Sequence, residues 1–295
     1  MNQIDLLTGI LAREGAEALG WEGGRLGGSV ARSVLRPAAR RIAREFAACD
    51  EAFATRTLPD AARWALDHFS AGVEVAGLDR VPRHGPILLV ANHPGLTDAV
   101  GLIAALDRPD LRIVAADYPF LHAMRGLGPR LIFLASSRTS QLSWIRAVGR
   151  DLRHGGVVLL FPAGRLEPDP AVLGQADPLL PWSDSVGLIA RLAPDAQIVP
   201  AAVTGVLSVR AFAHPLTRIR RAPRDRQRVA TLLQMIDPRC RPVTARIAFG
   251  SPLVAERGAS LNTDLAARMR DLLSDPSVVW KALSRRASDP ATTAA

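Results

Sequence analysis

A histidine and an aspartate five positions apart carry the residue types most suited to proton-transfer chemistry in this sequence. His93 and Asp98 lie in the segment Asn-His-Pro-Gly-Leu-Thr-Asp at 92–98. An imidazole exchanges a proton near neutral pH, and a carboxylate beside it can fix its tautomer and stabilise its charged form. The pattern therefore predicts a general base with an orienting carboxylate. The alternative is a structural histidine with Asp98 capping a helix, since Asp is a preferred N-cap residue.

A buried strand and a helix are predicted to position these two residues. The continuous apolar run Ile87–Ala91 is typical of a short buried strand, and the segment 98–106 is typical of the helix that follows it. His93 is therefore predicted on the turn that leaves a strand. In α/β proteins, reacting groups lie on such turns at the carboxyl ends of the strands, where a rigid scaffold holds them.

Strand patterns alternate with helical patterns along the chain after residue 72. Further strands are predicted near 73–75, 111–116, 131–134, 157–161, 197–203 and 245–249, and further helices near 141–153, 183–192 and 261–273. The alternation predicts an α/β fold with a mixed, largely parallel sheet flanked by helices, preceded by an N-terminal helical segment. We assign 1–70 to that segment, which could dock on a membrane, 71–284 to the α/β domain and 285–295 to a flexible tail.

The N-terminal segment contains a basic amphipathic pattern. A helix is predicted from about 29 to 53, and Pro37 is expected to interrupt it or to begin a new helix. Apolar residues keep helical spacing beside a row of arginines, Arg32, Arg36, Arg40 and Arg44. Such a helix either lies in a membrane interface, with the arginines against anionic lipid, or packs over the core with the arginines in solvent. The sequence leaves both interpretations open.

Composition limits the class of protein. The 295 residues are 48% hydrophobic, enough for one large α/β domain, and their net charge of +9 favours anionic partners. Cys49 and Cys240 are too few for a disulfide framework and lack metal-ligand spacing, so we expect a reducing compartment and no metal site. No apolar run is long enough to span a membrane, and the first residues lack the pattern of a signal peptide. We therefore expect a protein that is soluble or lies on a membrane surface.

A second basic segment spans 218–228 and contains six arginines. Pro215 and Pro223 favour a loop here. The segment could rest on anionic lipid, bind RNA or remain a solvated loop. Phe212 is the only aromatic residue nearby, which leaves no stacking platform for bases, so no nucleic-acid partner is expected.

Three further blocks follow the His93 segment in order along the chain. Residues 131–138 have the sequence Leu-Ile-Phe-Leu-Ala-Ser-Ser-Arg, residues 161–165 have Phe-Pro-Ala-Gly-Arg, and 198–205 have the pattern of an apolar strand with an internal proline. Together the four blocks resemble the glycerolipid acyltransferase family, the PlsC-like lysophosphatidate acyltransferases, over about residues 73–205. The first block matches the family's N-H-x-x-x-x-D, and the third is similar to its F-P-E-G-[ST]-R.

The resemblance implies acyl transfer from a thioester to a hydroxyl of a lyso-lipid or glycerol-phosphate-type acceptor, in phospholipid or related lipid biosynthesis. It implies acyl-CoA or acyl-carrier protein as the donor, with no bound cofactor and no metal. His93 would be the general base and Asp98 its orienting carboxylate. Arg138 would bind the acceptor's phosphate, Gly164 would lie at the substrate and offer its N–H to the oxyanion, and Arg165 would take a phosphate or carboxylate contact. The resemblance also implies a cytoplasmic protein peripherally associated with the inner face of the cell membrane, whose anionic surface would be a partner.

One block departs from the family pattern. Ala163 stands where most members have glutamate, and Arg165-Leu166 replaces the [ST]-R pair. The F-P-A-G form resembles the hemolysin- and ornithine-lipid-related branch of the family more closely, and Glu167 is a candidate to restore a carboxylate nearby. Because that glutamate is associated with the acceptor site in the family, the departure allows an alternative function, a non-catalytic lipid- or membrane-binding protein that retains the fold.

Overall fold

The computed structural model describes residues 2–21, 25–95, 97–134, 138–174, 177–253, 261–275 and 278–283, without the side chains of 25–28 and 138–141. Within these ranges, eight strands form one sheet in the order β4-β3-β5-β2-β6-β7-β1-β8. The strands are β1 Gly72–Ala76, β2 Ile87–Ala91, β3 Leu111–Ala115, β4 Leu131–Phe133, β5 Val157–Leu160, β6 Gln197–Thr204, β7 Thr244–Phe249 and β8 Lys281–Ala282.

The sheet is mixed and mostly parallel. β2 pairs in parallel with β5 on one side and β6 on the other, and β3 pairs in parallel with both β4 and β5. β7 runs antiparallel to β6 and parallel to β1, and β8 runs antiparallel to β1. Because β5, β2 and β6 are adjacent and parallel, the loops that leave their carboxyl ends meet at one edge of the sheet.

Helices cover both faces of this sheet and precede it in the chain. They are α1 Gln3–Leu19, α2 Arg25–Thr55, α3 Leu58–Phe69, α4 Thr97–Leu106, α5 Pro119–Ala123, α6 Arg138–Arg153, α7 Pro170–Leu173, α8 Ser185–Leu192, α9 Val209–Ala213, α10 Pro223–Ile236 and α11 Leu261–Ser274. Short 3₁₀ helices occur at Leu78–Arg80, Gly128–Arg130, Pro215–Ile219 and Pro238–Cys240. The α/β fold class predicted from the sequence is confirmed.

The position of β2 in the sheet explains why its sequence is apolar at every position. All five of its residues are buried, with Leu89 and Ala91 packing in the cluster formed by α3 and α4. Leu88 and Val90 pack on the opposite face, against α6 and α8. A parallel strand covered on both faces has no solvent side and therefore no alternation of polar residues.

The N-terminal helices pack against the rest of the molecule. Asn2 caps α1 by accepting a hydrogen bond from the Asp5 N–H at 2.8 Å, and Gly20 ends the helix in a left-handed conformation. Apolar residues of α1 and α2 form one cluster with Met235 of α10. Asp50 of α2 is 4% exposed and accepts the main-chain N–H groups of residues 125–127 at 2.8–3.0 Å. These contacts fix α2 over the turn that follows α5.

Pro37 does not interrupt the second helix, contrary to the sequence-based expectation. It lies inside α2, which runs without a break from Arg25 to Thr55. A proline inside a helix removes one hydrogen bond, but the buried residues Ala39, Ile42 and Ala43 pack in the cluster that joins α1 to α2. This packing holds the helix together through the proline.

The basic segment 218–228 is mostly helical rather than a loop, with residues 220–222 linking two helices. Pro215 begins a 3₁₀ helix and Pro223 occupies the first turn of α10, so both prolines start helices. Proline is favoured at the first helical position, because its N–H would be unpaired there and its φ angle already suits the helix. Arg224, Arg226 and Arg228 therefore lie on a helix.

None of the helices among the described residues combines the length and the apolar composition needed to cross a bilayer. The predicted tail 285–295 lies outside the described residues, and the predicted division at residues 70 and 71 stays a prediction.

Candidate active site

His93 and Asp98 are brought together by the turn between β2 and α4. The distance from His93 Nδ1 to Asp98 Oδ2 is 2.8 Å, and the Asp98 side chain is fully buried. Since a carboxylate accepts, the imidazole carries its proton on Nδ1 and donates to Asp98. No other described residue bonds to the second ring nitrogen, Nε2, which is left free to accept a proton.

Asp98 also organises the turn that carries the histidine. Its Oδ2 accepts the Gly95 N–H at 2.9 Å and its Oδ1 accepts the Ala99 N–H at 2.5 Å. The residue is the second of α4 rather than the N-cap. Both interpretations of the sequence therefore hold in part, because one carboxylate contacts the histidine and pairs main-chain N–H groups near the helix start.

The surroundings of His93 favour its protonated form. Burial of the ring opposes a positive charge, but the charge and hydrogen bond of Asp98, together with the charge of Glu167, outweigh it and raise the pKa of His93 above its usual value. The ring of Phe161 stacks on the imidazole with a centroid distance of 4.4 Å. The histidine is thus a stronger base than a free imidazole, held between two carboxylates and an aromatic ring.

The segment after β5 forms a tight turn beside the histidine. Gly164 has a φ of +63° and its N–H donates to the Phe161 carbonyl at 3.0 Å. A residue with a side chain rarely adopts this conformation, so the turn depends on glycine. The Gly164 N–H that we expected to face an oxyanion is occupied by this turn in the structure. Arg165 follows it, exposed, with no hydrogen bond or salt bridge to another described residue.

A cavity of about 410 Å³ connects these residues. His93, Asp98, Gly164 and Arg165 all line it. The rest of its wall is mainly apolar and comes from the ends of the parallel strands and from α1, α2, α4, α5 and α10. Its aromatic and aliphatic wall residues include Leu11, Phe46, Phe53, Val100, Ile103, Phe120, Leu121 and Leu232. The N-terminal helices therefore form part of the wall of the candidate site.

Four of the five predicted site residues share this cavity. The fifth, Arg138, is the first residue of α6, and its side chain is not part of the described structure. Glu167 does not supply a carboxylate to the cavity in place of Ala163. It is 0% exposed and bonds to the main chain of His93 and to residues 180 and 182.

Sequence reasoning missed Gln227 of α10. Its Nε2 donates to the Pro94 carbonyl at 2.7 Å and to the Glu167 carbonyl at 2.8 Å, and the residue is 2% exposed. A glutamine 133 positions from its partner leaves no local signal in a single sequence.

Metal-ligand geometry is not found in the described part of the chain, where no group of three or more His, Cys, Asp or Glu side chains could hold an ion.

Comparison with protein families agrees with the sequence blocks. Residues 72–204 match the family model described as Acyltransferase. The match is to an acyltransferase domain. It runs from the start of β1 to the end of β6 and so contains His93, Asp98 and the turn at Gly164.

Among solved structures, the chain is similar to the 1-acyl-sn-glycerophosphate (LPA) acyltransferase PlsC from Thermotoga maritima. The two share 18% identity with a TM-score of 0.46, over 92% of this chain and 97% of that chain. Comparison with curated proteins finds no match.

Proposed function

We propose that this protein transfers a fatty acyl group from a thioester to a hydroxyl of a lipid acceptor. The donor is acyl-CoA or acyl-carrier protein, and the acceptor is a lyso-lipid or a glycerol-phosphate-type molecule of phospholipid or related lipid biosynthesis. The observation that carries the proposal is the His93–Asp98 contact of 2.8 Å in the wall of a largely apolar cavity, within a segment that matches an acyltransferase model.

His93 acts as the general base in this proposal. Its Nε2 takes the proton of the acceptor hydroxyl as that oxygen forms a bond to the thioester carbonyl carbon. The tetrahedral intermediate then expels the thiolate, and the imidazolium returns the proton to the sulfur, which gives an ester and a free thiol. Asp98 holds the Nδ1 proton and stabilises the imidazolium. Proton transfer by a positioned base such as His93 contributes about a hundred- to ten-thousandfold to the rate.

The apolar wall of the cavity suits an acyl chain. Burying each CH₂ group releases about 0.8 kcal/mol, so a fatty acyl chain gains most of its binding energy from such a wall. This supports a long-chain donor or a lipid acceptor over a small polar substrate.

Arginines near the cavity are proposed to recognise the acceptor's anionic group. Arg165 lines the cavity, is exposed and has no ionic partner among the described residues, so its guanidinium is available for a phosphate or carboxylate. Arg138 is proposed to bind the acceptor's phosphate on the strength of the sequence block alone. Ala163, in the F-P-A-G form of the third block, points to an acceptor other than the family's usual one.

We further propose that the protein works at the inner face of the cell membrane, attached peripherally. Arg32, Arg36, Arg40 and Arg44 are exposed on α2, and Val30 and Val34 on the same helix are 63% and 64% exposed. Exposed arginines attract an anionic lipid surface, and exposed apolar residues such as these valines can insert into it.

The proposed reaction is tested with purified protein, a thioester donor and a panel of lyso-lipids, by measuring thiol release and ester formation. His93→Ala is compared with His122→Ala. His122 pairs with Asp117, also five positions away, but it is exposed and does not line the cavity. We expect His93→Ala to lower kcat by at least a hundredfold and His122→Ala to leave it within about twofold.

Equal turnover by wild type and His93→Ala would remove the histidine from the mechanism. Binding of lipid without acyl transfer across the whole panel would instead favour the non-catalytic alternative.

A further inference from the structure

Glu167 is a fully buried carboxylate beside His93 that the proposed reaction does not use. The residue is 0% exposed, although charged side chains are seldom buried unless they are paired. It lies in the loop after β5, 74 positions from the histidine. Its contacts explain why a charged group is retained there.

Glu167 holds the main chain of His93 from both sides. Its Oε2 accepts the His93 N–H at 3.0 Å, and its own main-chain N–H donates to the His93 carbonyl at 2.8 Å. Gln227 ties this arrangement to α10 by donating to the carbonyls of Pro94 and Glu167. The histidine is therefore fixed by hydrogen bonds on its N–H and its carbonyl as well as by Asp98 on its ring.

The second oxygen of Glu167 joins a different segment to the site. Oε1 accepts the Leu180 N–H at 2.9 Å and the Trp182 Nε1–H at 3.1 Å. Burial raises the pKa of Glu167, and the three N–H donors oppose that rise. Because every partner donates, a proton on the carboxyl group would have no acceptor, so the contacts match the charged form.

We propose that Glu167 is a positioning residue for His93, one that fixes the histidine's main chain and places a second negative charge beside the imidazole. The inference rests on the proposed role of His93 as the base. Asp98 contacts Nδ1 directly and sets the orientation of the ring. Glu167 fixes the main-chain position from which the imidazole extends, and its negative charge raises the pKa of the ring.

The charged groups around the imidazole are few. Asp98 of α4 and Glu167 are the two whose charges act on the histidine, and both raise its pKa. In the part of the chain that the structure describes, Arg165, Arg228 and Glu14 are the charged side chains that line the cavity besides Asp98. Removal of the Glu167 charge therefore leaves Asp98 as the remaining source of the elevated basicity.

The test compares Glu167→Gln with Asp169→Asn. Asp169 is also 0% exposed and its carboxylate also accepts several donors, the N–H groups of residues 171, 205 and 207 and the Thr204 hydroxyl, but it does not contact His93. Loss of its charge measures the cost of disturbing a buried carboxylate in the same loop. The primary readout is the imidazole pKa by NMR titration, with the His93 signal identified among the six histidines by its loss in His93→Gln.

We expect the pKa of His93 to fall in Glu167→Gln and to stay at the wild-type value in Asp169→Asn. The acidic limb of the kcat/KM profile should move to lower pH in Glu167→Gln alone. Its kcat should fall roughly ten- to a hundredfold, since a displaced base is costly, while KM for the donor changes little. An unchanged His93 pKa, or an equal change in both variants, would overturn the proposal.

The NMR readout does not need turnover, so it separates failure of this inference from failure of the proposed function. If the wild type transfers no acyl group, the pKa comparison still decides whether Glu167 acts on His93. Should Glu167→Gln fail to fold, Glu167→Asp carries the test. This variant keeps the negative charge but moves it away from the His93 N–H. We therefore expect the pKa of His93 to remain above that of a free imidazole while kcat falls. A kcat equal to that of the wild type would contradict the positioning role.

Discussion

Gly95 lies between His93 and Asp98 and packs closely against Val206. A Cβ at this position would lie 2.9 Å from Val206 Cγ2, and the Gly95 N–H donates to the same Asp98 oxygen that holds the histidine. The absence of a side chain between the base and its carboxylate is therefore a packing requirement. A larger side chain would push the turn away from the end of β6.

Asp98→Asn tests the carboxylate at the scale of one residue. The amide can fill the same space, but it removes the negative charge that raises the pKa of His93. The deprotonated imidazole is the active form, so activity rises with pH through that pKa. We expect the acidic limb of the kcat/KM profile to move to lower pH and kcat to fall on the order of a hundredfold or more. A pH profile that coincides with the wild type would show that Asp98 does not act on the base.

Residues close in sequence could be predicted, and residues that meet only through the fold could not. His93 and Asp98 are separated by one turn, so their spacing predicts their contact. Glu167 and Gln227 reach the same turn from 74 and 133 positions away. Glu167 was recognised as a nearby carboxylate, but its direction, toward the main chain of the histidine, depends on how β5 lies beside β2.

At the scale of elements, continuous apolar runs predicted the buried strands well. The prolines were wrongly interpreted as helix breaks or loop residues. The apolar runs at 87–91 and 157–161 coincide with β2 and β5 to within one residue. Pro37 lies inside α2, and Pro223 begins α10. In one case tertiary packing outweighs the lost hydrogen bond, and in the other the proline stands where the helix has no hydrogen bond to lose.

Helix α1 contains an ionisable group whose burial should make stability depend on pH. Glu14 lines the cavity, and its buried Oε1 has no hydrogen-bond partner among the described residues. Burial is the main cause that raises the pKa of Glu14 to about 7. The folded state therefore binds this proton more tightly than the unfolded chain does. The resulting stability is complete below about pH 4.5 and is lost as the pH rises through about 7.

Glu14→Gln should therefore raise Tm relative to the wild type at pH 8 and leave it nearly unchanged at pH 4.5. Thermal unfolding at both pH values measures the difference. Glu51→Gln is the control, because Glu51 is exposed on α2 and its charge is not among the causes that raise the pKa of Glu14. Equal effects of the two substitutions at pH 8 would contradict the assignment to Glu14.

At the scale of the whole molecule, the candidate site is shared between the N-terminal helices and the sheet. The alternation of strands and helices predicted the sheet, because the spacing of apolar residues within each element indicates which of its faces are buried. The cavity could not be predicted, since Leu11, Phe46 and Phe53 join its wall only through the docking of α1 and α2. The same periodic apolar residues would have suited a membrane interface equally well.

The exposed arginines of α2 predict binding to anionic membranes. Arg36→Gln with Arg44→Gln removes two charges from this face, which should weaken binding to phosphatidylglycerol-containing vesicles by about 2 kcal/mol, or roughly thirtyfold. Arg150→Gln with Arg191→Gln is the control pair, since these exposed arginines lie on α6 and α8, which cover the other face of the sheet. Co-sedimentation at low and high salt measures both. The same loss in both pairs would indicate that net charge alone drives binding.

The hydrogen bonds from residues 125–127 to Asp50 join the N-terminal helices to a segment that is synthesised later. The N-terminal helices leave the ribosome first, yet the N–H groups that secure α2 are made 75 positions later. Until then α2 lacks these contacts with the turn after α5, and the wall of the cavity is incomplete. Strand β2 pairs with β5 and β6 over comparable or longer separations, Ile87 lying opposite Val157 and Gln197. Enclosure of the cavity therefore depends on the closure of several long loops, each at a cost in chain entropy. The cavity wall is therefore complete only when the N-terminal helices have docked on the sheet.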